Sequence, residues 1–172
     1  MTLRPWQIDD VPAIVAAIDG DPAVTEWLDM IPQPYGLEHA RDFLALARRD
    51  WVDGTGATFA VLDAQAGRLL GSVGARLLEP AHAVAEVGYW MARDVRGRGL
   101  ATRALRLVAG WLFDAGIERL QLQADVHNEA SQRVAEKAGF TREGVLRSYR
   151  YNVRRQRRVD FVLFSLLPGE PR

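Results

Sequence analysis

The 172-residue chain contains no cysteine, which excludes disulfides, thiolate metal sites and a covalent cysteine nucleophile, and argues against an exported disulfide scaffold. No stretch approaches the roughly 20 apolar residues of a membrane span, and Met1–Trp6 lacks the apolar run of a signal peptide. A cytoplasmic setting without membrane association is therefore expected. Neither sign of charge is in excess, and a formal net charge of zero speaks against a dedicated nucleic-acid binder, which gains much of its affinity by neutralising phosphates. Internal repeats, low-complexity tracts and linker-like breaks are also missing.

Lysine is nearly absent, Lys137 being the single one, so arginine carries the positive charge. Arg147, Arg150, Arg154, Arg155, Arg157 and Arg158 crowd into one short stretch without an acid between them. Two readings stand side by side: a solvated strand face, or a patch that receives an acidic or phosphate-bearing partner.

With 48% hydrophobic and 26% charged residues, the composition is that of a soluble enzyme-sized domain. A chain of this length buries about two-thirds of its unfolded surface and needs no metal or disulfide to fold, so one domain over residues 1–172 is expected. Asp9, Asp10 and Pro12 mark a helix start, after which Val11, Ile14, Val15 and Ile18 repeat at helical spacing towards Gly20. Leu37, Ala40, Leu44, Ala47 and Trp51 form a second amphipathic stripe. Strands are predicted at Thr58–Leu62, Arg68–Leu77 and Val84–Met91, the first two joined by a hairpin loop.

A helix follows in which Leu100, Ala104, Leu107, Val108, Trp111, Leu112 and Ala115 share an apolar face and Gly116 closes the end. Leu120–Val126 alternates as a half-buried strand, a short helix runs from about Asn128 to Ala138, and strands near Gly144–Asn152 and Val159–Leu166 finish the chain. The predicted order is strand, two helices, three strands, helix, strand, helix, two strands.

The chemistry is concentrated where Glu86-Val87-Gly88-Tyr89-Trp90-Met91 leads into Arg96-Gly97-Arg98-Gly99-Leu100-Ala101-Thr102. Glycines 97 and 99 let the main chain approach a ligand, and the amides that open the helix point at it with the positive end of the helix dipole. Arg96 and Arg98 can add charge-assisted bonds to phosphate. The turn is an anion site by construction, although glycine-rich turns also serve only to reverse the chain. The Gly-x-x-x-x-Gly-Lys-Ser/Thr loop is absent, and the glycine spacing is not that of a dinucleotide fingerprint.

Arg96-x-x-Gly99-x-Ala101 resembles the Gln/Arg-x-x-Gly-x-Gly/Ala motif of the GNAT superfamily of N-acetyltransferases. Asn128-Glu129-Ala130-Ser131, then Val134–Phe140, is similar to the second half of that family's cofactor site. Continuation through Arg142–Arg147 and Asp160 narrows the resemblance to the RimJ/RimL-like branch, which acetylates N-termini of ribosomal proteins.

The resemblance implies an α/β fold: a mixed, mostly antiparallel sheet of six to seven strands flanked by about four helices, its fourth and fifth strands splayed. It implies acetyl-CoA as co-substrate and no metal. Pantetheine would bond to main-chain groups around Trp90 and Met91, pyrophosphate would sit on the amides of Gly97–Thr102, and Asn128 would contact the pantetheine end. Ser131 would approach the thioester sulfur. Asn128 is equally a good helix N-cap, and Ser131 a small residue at a packed helix start.

Many members carry a proton-donating tyrosine seven residues after the asparagine; here that place is Ala135, and Ser131 is the replacement the branch suggests. Glu86 is the candidate base, on the same strand face as Gly88 and Trp90, with an arginine-paired structural role as its rival and Glu143 in reserve. Acceptors implied are a protein or peptide N-terminal amine, or a small amine such as an aminoglycoside, polyamine or amino acid; a non-catalytic acyl-CoA-binding module is the remaining alternative. Family members are commonly monomers or homodimers, and the sequence does not choose between them.

Overall fold

Apolar residues alternate along the strands in a way that covers a single sheet on both faces. The computed structural model describes residues 1–171, and among these the chain forms seven strands and five α-helices. In chain order they are β1 (Thr2–Pro5), α1 (Val11–Ile18), α2 (Pro22–Trp27), α3 (Leu37–Asp53), β2 (Gly56–Leu62), β3 (Leu69–Glu79) and β4 (Val84–Met91). There follow α4 (Leu100–Asp114), β5 (Arg119–Asp125), α5 (Glu129–Lys137), β6 (Thr141–Asn152) and β7 (Arg157–Leu166). The sheet order is β1-β2-β3-β4-β5-β7-β6, and every neighbouring pair is antiparallel except β4 with β5.

One face packs Val61, Val73, Val87 and Leu122 against Leu105 and Val108 of α4 and Ala135 of α5. The other packs Ala60 and Leu69 against Ile14 and Ile18 of α1, Val24 of α2 and Leu44 of α3. Each buried Leu, Ile or Val side chain contributes about 1.5–3 kcal/mol, enough for the two clusters to clamp the sheet between helical layers.

Three expectations are corrected. A third helix, α2, lies between the first two; it begins with Pro22 just after Asp21, whose side chain accepts the Ala23 amide at 3.0 Å. At six residues it is too short to show an amphipathic stripe. The buried stripe of α4 runs through Ala101, Ala104, Leu105, Val108 and Leu112, whereas Leu107 and Trp111 lie on its exposed flank. Trp111 stacks there on Trp51, with Phe59 edge-on to both rings. Finally, β6 begins at Thr141 rather than near Gly144.

Candidate active site

β4 and β5 run side by side for three residues only, Val84–Glu86 against Arg119–Gln121. Beyond this point each strand stays paired on its outer side, β4 with β3 as far as Met91 and β5 with β7 as far as Asp125. Their inner edges part, and the main-chain groups there have no ladder partner between the strands. Such groups must meet water or a ligand. The wedge opens into a cleft of about 510 Å³, walled by Gly88, Tyr89 and Trp90 of β4, Ala124 of β5, Ser131 of α5 and Trp27 of α2.

The glycine turn stands at the mouth of this cleft. Gly97 and Gly99 adopt left-handed φ angles of 75° and 72°, and a Cβ on either would meet no protein atom within 4 Å. The turn is therefore both restricted to glycine by its backbone and open on its outer side. Gly99 is the N-cap of α4 and offers no capping side chain, so the helix's first amides lack the partner that side-chain caps supply. By contrast, Asp21 caps α2 and Asn128 caps α5, its Oδ1 accepting the Ser131 amide at 3.0 Å. Gly97, Gly99, Leu100, Ala101 and Thr102 all line the cleft, and the donor set suits a pyrophosphate.

Arg96 lines the cleft beside the turn and is also engaged within the protein. Its Nε donates to the Met91 carbonyl at 3.0 Å, and its two terminal nitrogens grip both carboxylate oxygens of buried Asp21. Arg98 is exposed and lies outside the cleft wall. Within the protein, the open donors of the turn are its main-chain amides, at the positive end of the α4 dipole.

Glu86 and Ser131 both reach the cleft, from opposite sides of the sheet. Glu86 lies 3.5 Å from Arg150, whose guanidinium also donates to Gln123 Oε1 at 3.1 Å and stacks over Phe161 and Tyr149. The arginine-paired reading of Glu86 is thereby realised in the fold. Ser131 Oγ accepts a hydrogen bond from the Tyr89 hydroxyl at 3.2 Å. Burial pushes the Tyr89 phenol above its ordinary range, and the bond to Ser131 offsets part of that rise. Ala135, where many members keep their tyrosine, is completely buried.

Glu143, the reserve base, is displaced from the chemistry. Two bonds from Arg119, at 2.9 and 2.5 Å, and one from Ser165 at 2.6 Å hold its carboxyl below the usual range. It does not line the cleft, because Arg119 belongs to the zipped end of β4 and β5.

The arginine stretch is largely spent within the molecule. Arg155 reaches Asp125 at 3.1 Å and Glu26 at 3.3 Å and stacks over Trp27; Arg154 donates to the Ile31 carbonyl at 2.5 Å; Arg158 donates to Ser148. Arg155 and Arg154 thus tie the turn of the β6–β7 hairpin to α2 and the segment after it, while Arg158 ties β7 to β6. Trp27, in a segment expected to shape the acceptor cleft, does line it, while no role was expected of Tyr89 in particular. The two-residue strand repeat places Tyr89 on the α5 face of β4, but only the fold brings Ser131 to it.

Residues 1–141 match the family model described as an acetyltransferase (GNAT) domain. A putative ribosomal N-acetyltransferase of Bacillus subtilis, YdaF, is 31% identical over 147 residues, 84% of this chain and 78% of that protein. Among solved structures, a probable acetyltransferase superposes with a TM-score of 0.86 at 28% identity over 98% of this chain and 93% of its own. RimL, a ribosomal L7/L12 α-N-protein acetyltransferase solved with coenzyme A, has a TM-score of 0.82 at 20% identity over 96% and 92%. That last likeness is one of fold.

Proposed function

The chain belongs to the GNAT acetyltransferase family, and on that premise we propose that it transfers acetyl from acetyl-CoA to a primary amine, most suitably the N-terminal α-amine of a protein or peptide. The observation that carries this reading is the wedge between β4 and β5 with the uncapped start of α4 at its mouth. Gly97–Thr102 would hold the pyrophosphate, and the inner edge of β4 around Trp90 and Met91 the pantetheine arm. Acetyl-CoA supplies a thioester, an electrophile that an amine attacks directly.

A donor to the carbonyl oxygen is offered by the freed main chain of β4. Glu86 takes the amine proton, directly or through water, and the Ser131 hydroxyl serves the departing sulfur. Little base strength is needed: an α-amine of pKa about 7.8 loses only about 1 kcal/mol on deprotonation at pH 7, against about 4.6 for a lysine. Holding both substrates in one cleft supplies much of the remaining acceleration.

The preference for an α-amine over a polycation follows from charge. Both acids on the cleft wall are matched by arginines, Glu86 by Arg150 and Asp125 by Arg155. No surplus negative charge remains among the described lining residues to attract a polyamine or aminoglycoside. The relatives named for ribosomal proteins point the same way.

The test is thiol release from acetyl-CoA by purified protein against a panel of short peptides with free N-termini, the same peptides N-blocked, free amino acids and spermidine. Turnover confined to free N-termini is expected. Spermidine outpacing every peptide would overturn the acceptor class, and cofactor binding without thiol release on any amine would make the protein a binding module.

A further inference from the structure

Ser131 alone is a poor source for the proton that the leaving sulfur needs. A serine hydroxyl does not titrate in the range of protein side chains, whereas a thiol has a pKa of about 8.5 and a phenol about 10. A phenol can therefore protonate a thiolate at a cost of about 2 kcal/mol. The helix position that supplies such a phenol in many relatives is closed, since Ala135 is completely buried.

A phenol reaches the same place from the sheet. Tyr89 projects from β4, donates to Ser131 Oγ at 3.2 Å, and shares the cleft wall with it. The two residues are 42 positions apart, so the fold itself makes the pair. Ser131 is in turn fixed by the Asn128 cap on its amide. The charged groups lining this cleft are Arg133 and Lys137 of α5, Arg96, and the Glu86–Arg150 and Asp125–Arg155 pairs reached from β4 and β5.

We propose that Tyr89 is the proton source for the departing sulfur, acting through the Ser131 hydroxyl as relay. The inference rests on the acetyl-transfer reading above. As the C–S bond breaks and its electron pair stays on sulfur, Ser131 gives its hydroxyl proton to sulfur and receives the Tyr89 proton. The tyrosinate then regains a proton from water, to which Glu86 returns the one it took from the amine nitrogen. The sum is amine plus thioester giving amide plus thiol. Tyr89 carries its proton at neutral pH as any phenol does; burial makes it a weaker acid and the Ser131 bond offsets part of that.

Tyr89→Phe keeps the ring and removes only the hydroxyl. It is expected to lower kcat about 10²-fold with little change in the KM for acetyl-CoA, as is Ser131→Ala, and the double variant is expected to be no slower than the slower single. An unchanged kcat in Tyr89→Phe, or losses that multiply in the double variant, would overturn the relay while leaving acetyl transfer standing. A parent protein that turns over no amine overturns both.

A second readout needs no turnover. With 3,5-difluorotyrosine replacing Tyr89, the fluorine resonance is followed through a pH titration in the presence of CoA or of an analogue carrying hydrogen in place of the thiol. A midpoint that differs between the two is expected, because only CoA brings an ionising sulfur to the pair. Coincident midpoints would reduce Tyr89 to a packing residue.

Discussion

One guanidinium joins the two halves of the cofactor site: Arg96 grips both oxygens of Asp21 at the start of α2 while its Nε holds the Met91 carbonyl at the end of β4. The turn that follows Arg96 is thus positioned by a helix on the opposite side of the cleft. The same arginine lines the cleft, so it fixes the approach to the turn whose amides are proposed to hold phosphate.

Asp21→Asn is expected to lower stability by about 2 kcal/mol at neutral pH, the scale of a charged hydrogen bond, and to weaken acetyl-CoA binding without removing any group that touches it. Burial pushes the Asp21 carboxyl up, but the bonds from Arg96 and the Ala23 and Val24 amides outweigh it and hold it below the usual range. A depressed carboxyl stabilises above its unfolded pKa of about 3.9 and loses that contribution as pH falls through the folded value. Melting curves from pH 7 to pH 3 should show the gap between parent and variant narrowing only below about pH 4. A gap independent of pH would mean that the ion pair contributes nothing.

Gly99→Val addresses the turn directly. A Cβ at this position would meet no protein atom within 4 Å, so the cost in the free protein comes from its φ of 72°, about 1–2 kcal/mol for a left-handed β-branched residue. The folded protein should survive that loss. Its rise in melting temperature on adding CoA should vanish, because the methyls would stand where the proposed function brings the diphosphate against the main chain. Retention of the full CoA-dependent rise would move the phosphates elsewhere.

Much of this site was legible in the residues. The φ angles of Gly97 and Gly99 follow from their being glycine before an amphipathic helix, β4 lies at Val84–Met91 as predicted, and Asn128 caps α5. Less legible were features decided by partners far apart in sequence. Whether Arg96 meets phosphate or Asp21 depends on where α2 docks, and α2 is too short to announce itself by periodicity. Leu107 and Trp111 fit the apolar face of α4 on a helical wheel, yet the helix is rotated so that smaller Ala101, Ala104 and Ala109 meet the sheet. Leu105, Val108 and Leu112 are buried with them, and the wheel does not say which half of a broad apolar face turns to the sheet.

Glu86→Gln separates a base from a structural partner. If the carboxylate accepts the amine proton, kcat should fall most below about pH 8, where an α-amine is still largely protonated, and the deficit should shrink above it. An equal deficit at every pH would leave Glu86 as the partner of Arg150. Because Arg150 also holds Gln123 and two aromatic rings, its own placement is expected to survive the change.

Arg155→Ala cuts the strap between the β6–β7 hairpin and α2. The Asp125 side chain is only 7% exposed, and among the described residues Arg155 is its one charged partner, the other bond coming from the His127 amide at 2.8 Å. Removing the arginine leaves a buried carboxylate without its countercharge, a loss of about 3 kcal/mol. Most of that loss reflects the stranded charge rather than the net value of the pair, so Asp125→Asn in the same chain should recover a large part of the melting temperature. The acceptor cleft should not recover with it. Trp27 and Glu26 lose their contacts to the hairpin in both variants, so the KM for a peptide should rise in each while the KM for acetyl-CoA stays near that of the parent. A peptide KM that returns to normal in the double variant would mean that the strap matters for stability alone, and that the acceptor is positioned by some other wall of the cleft.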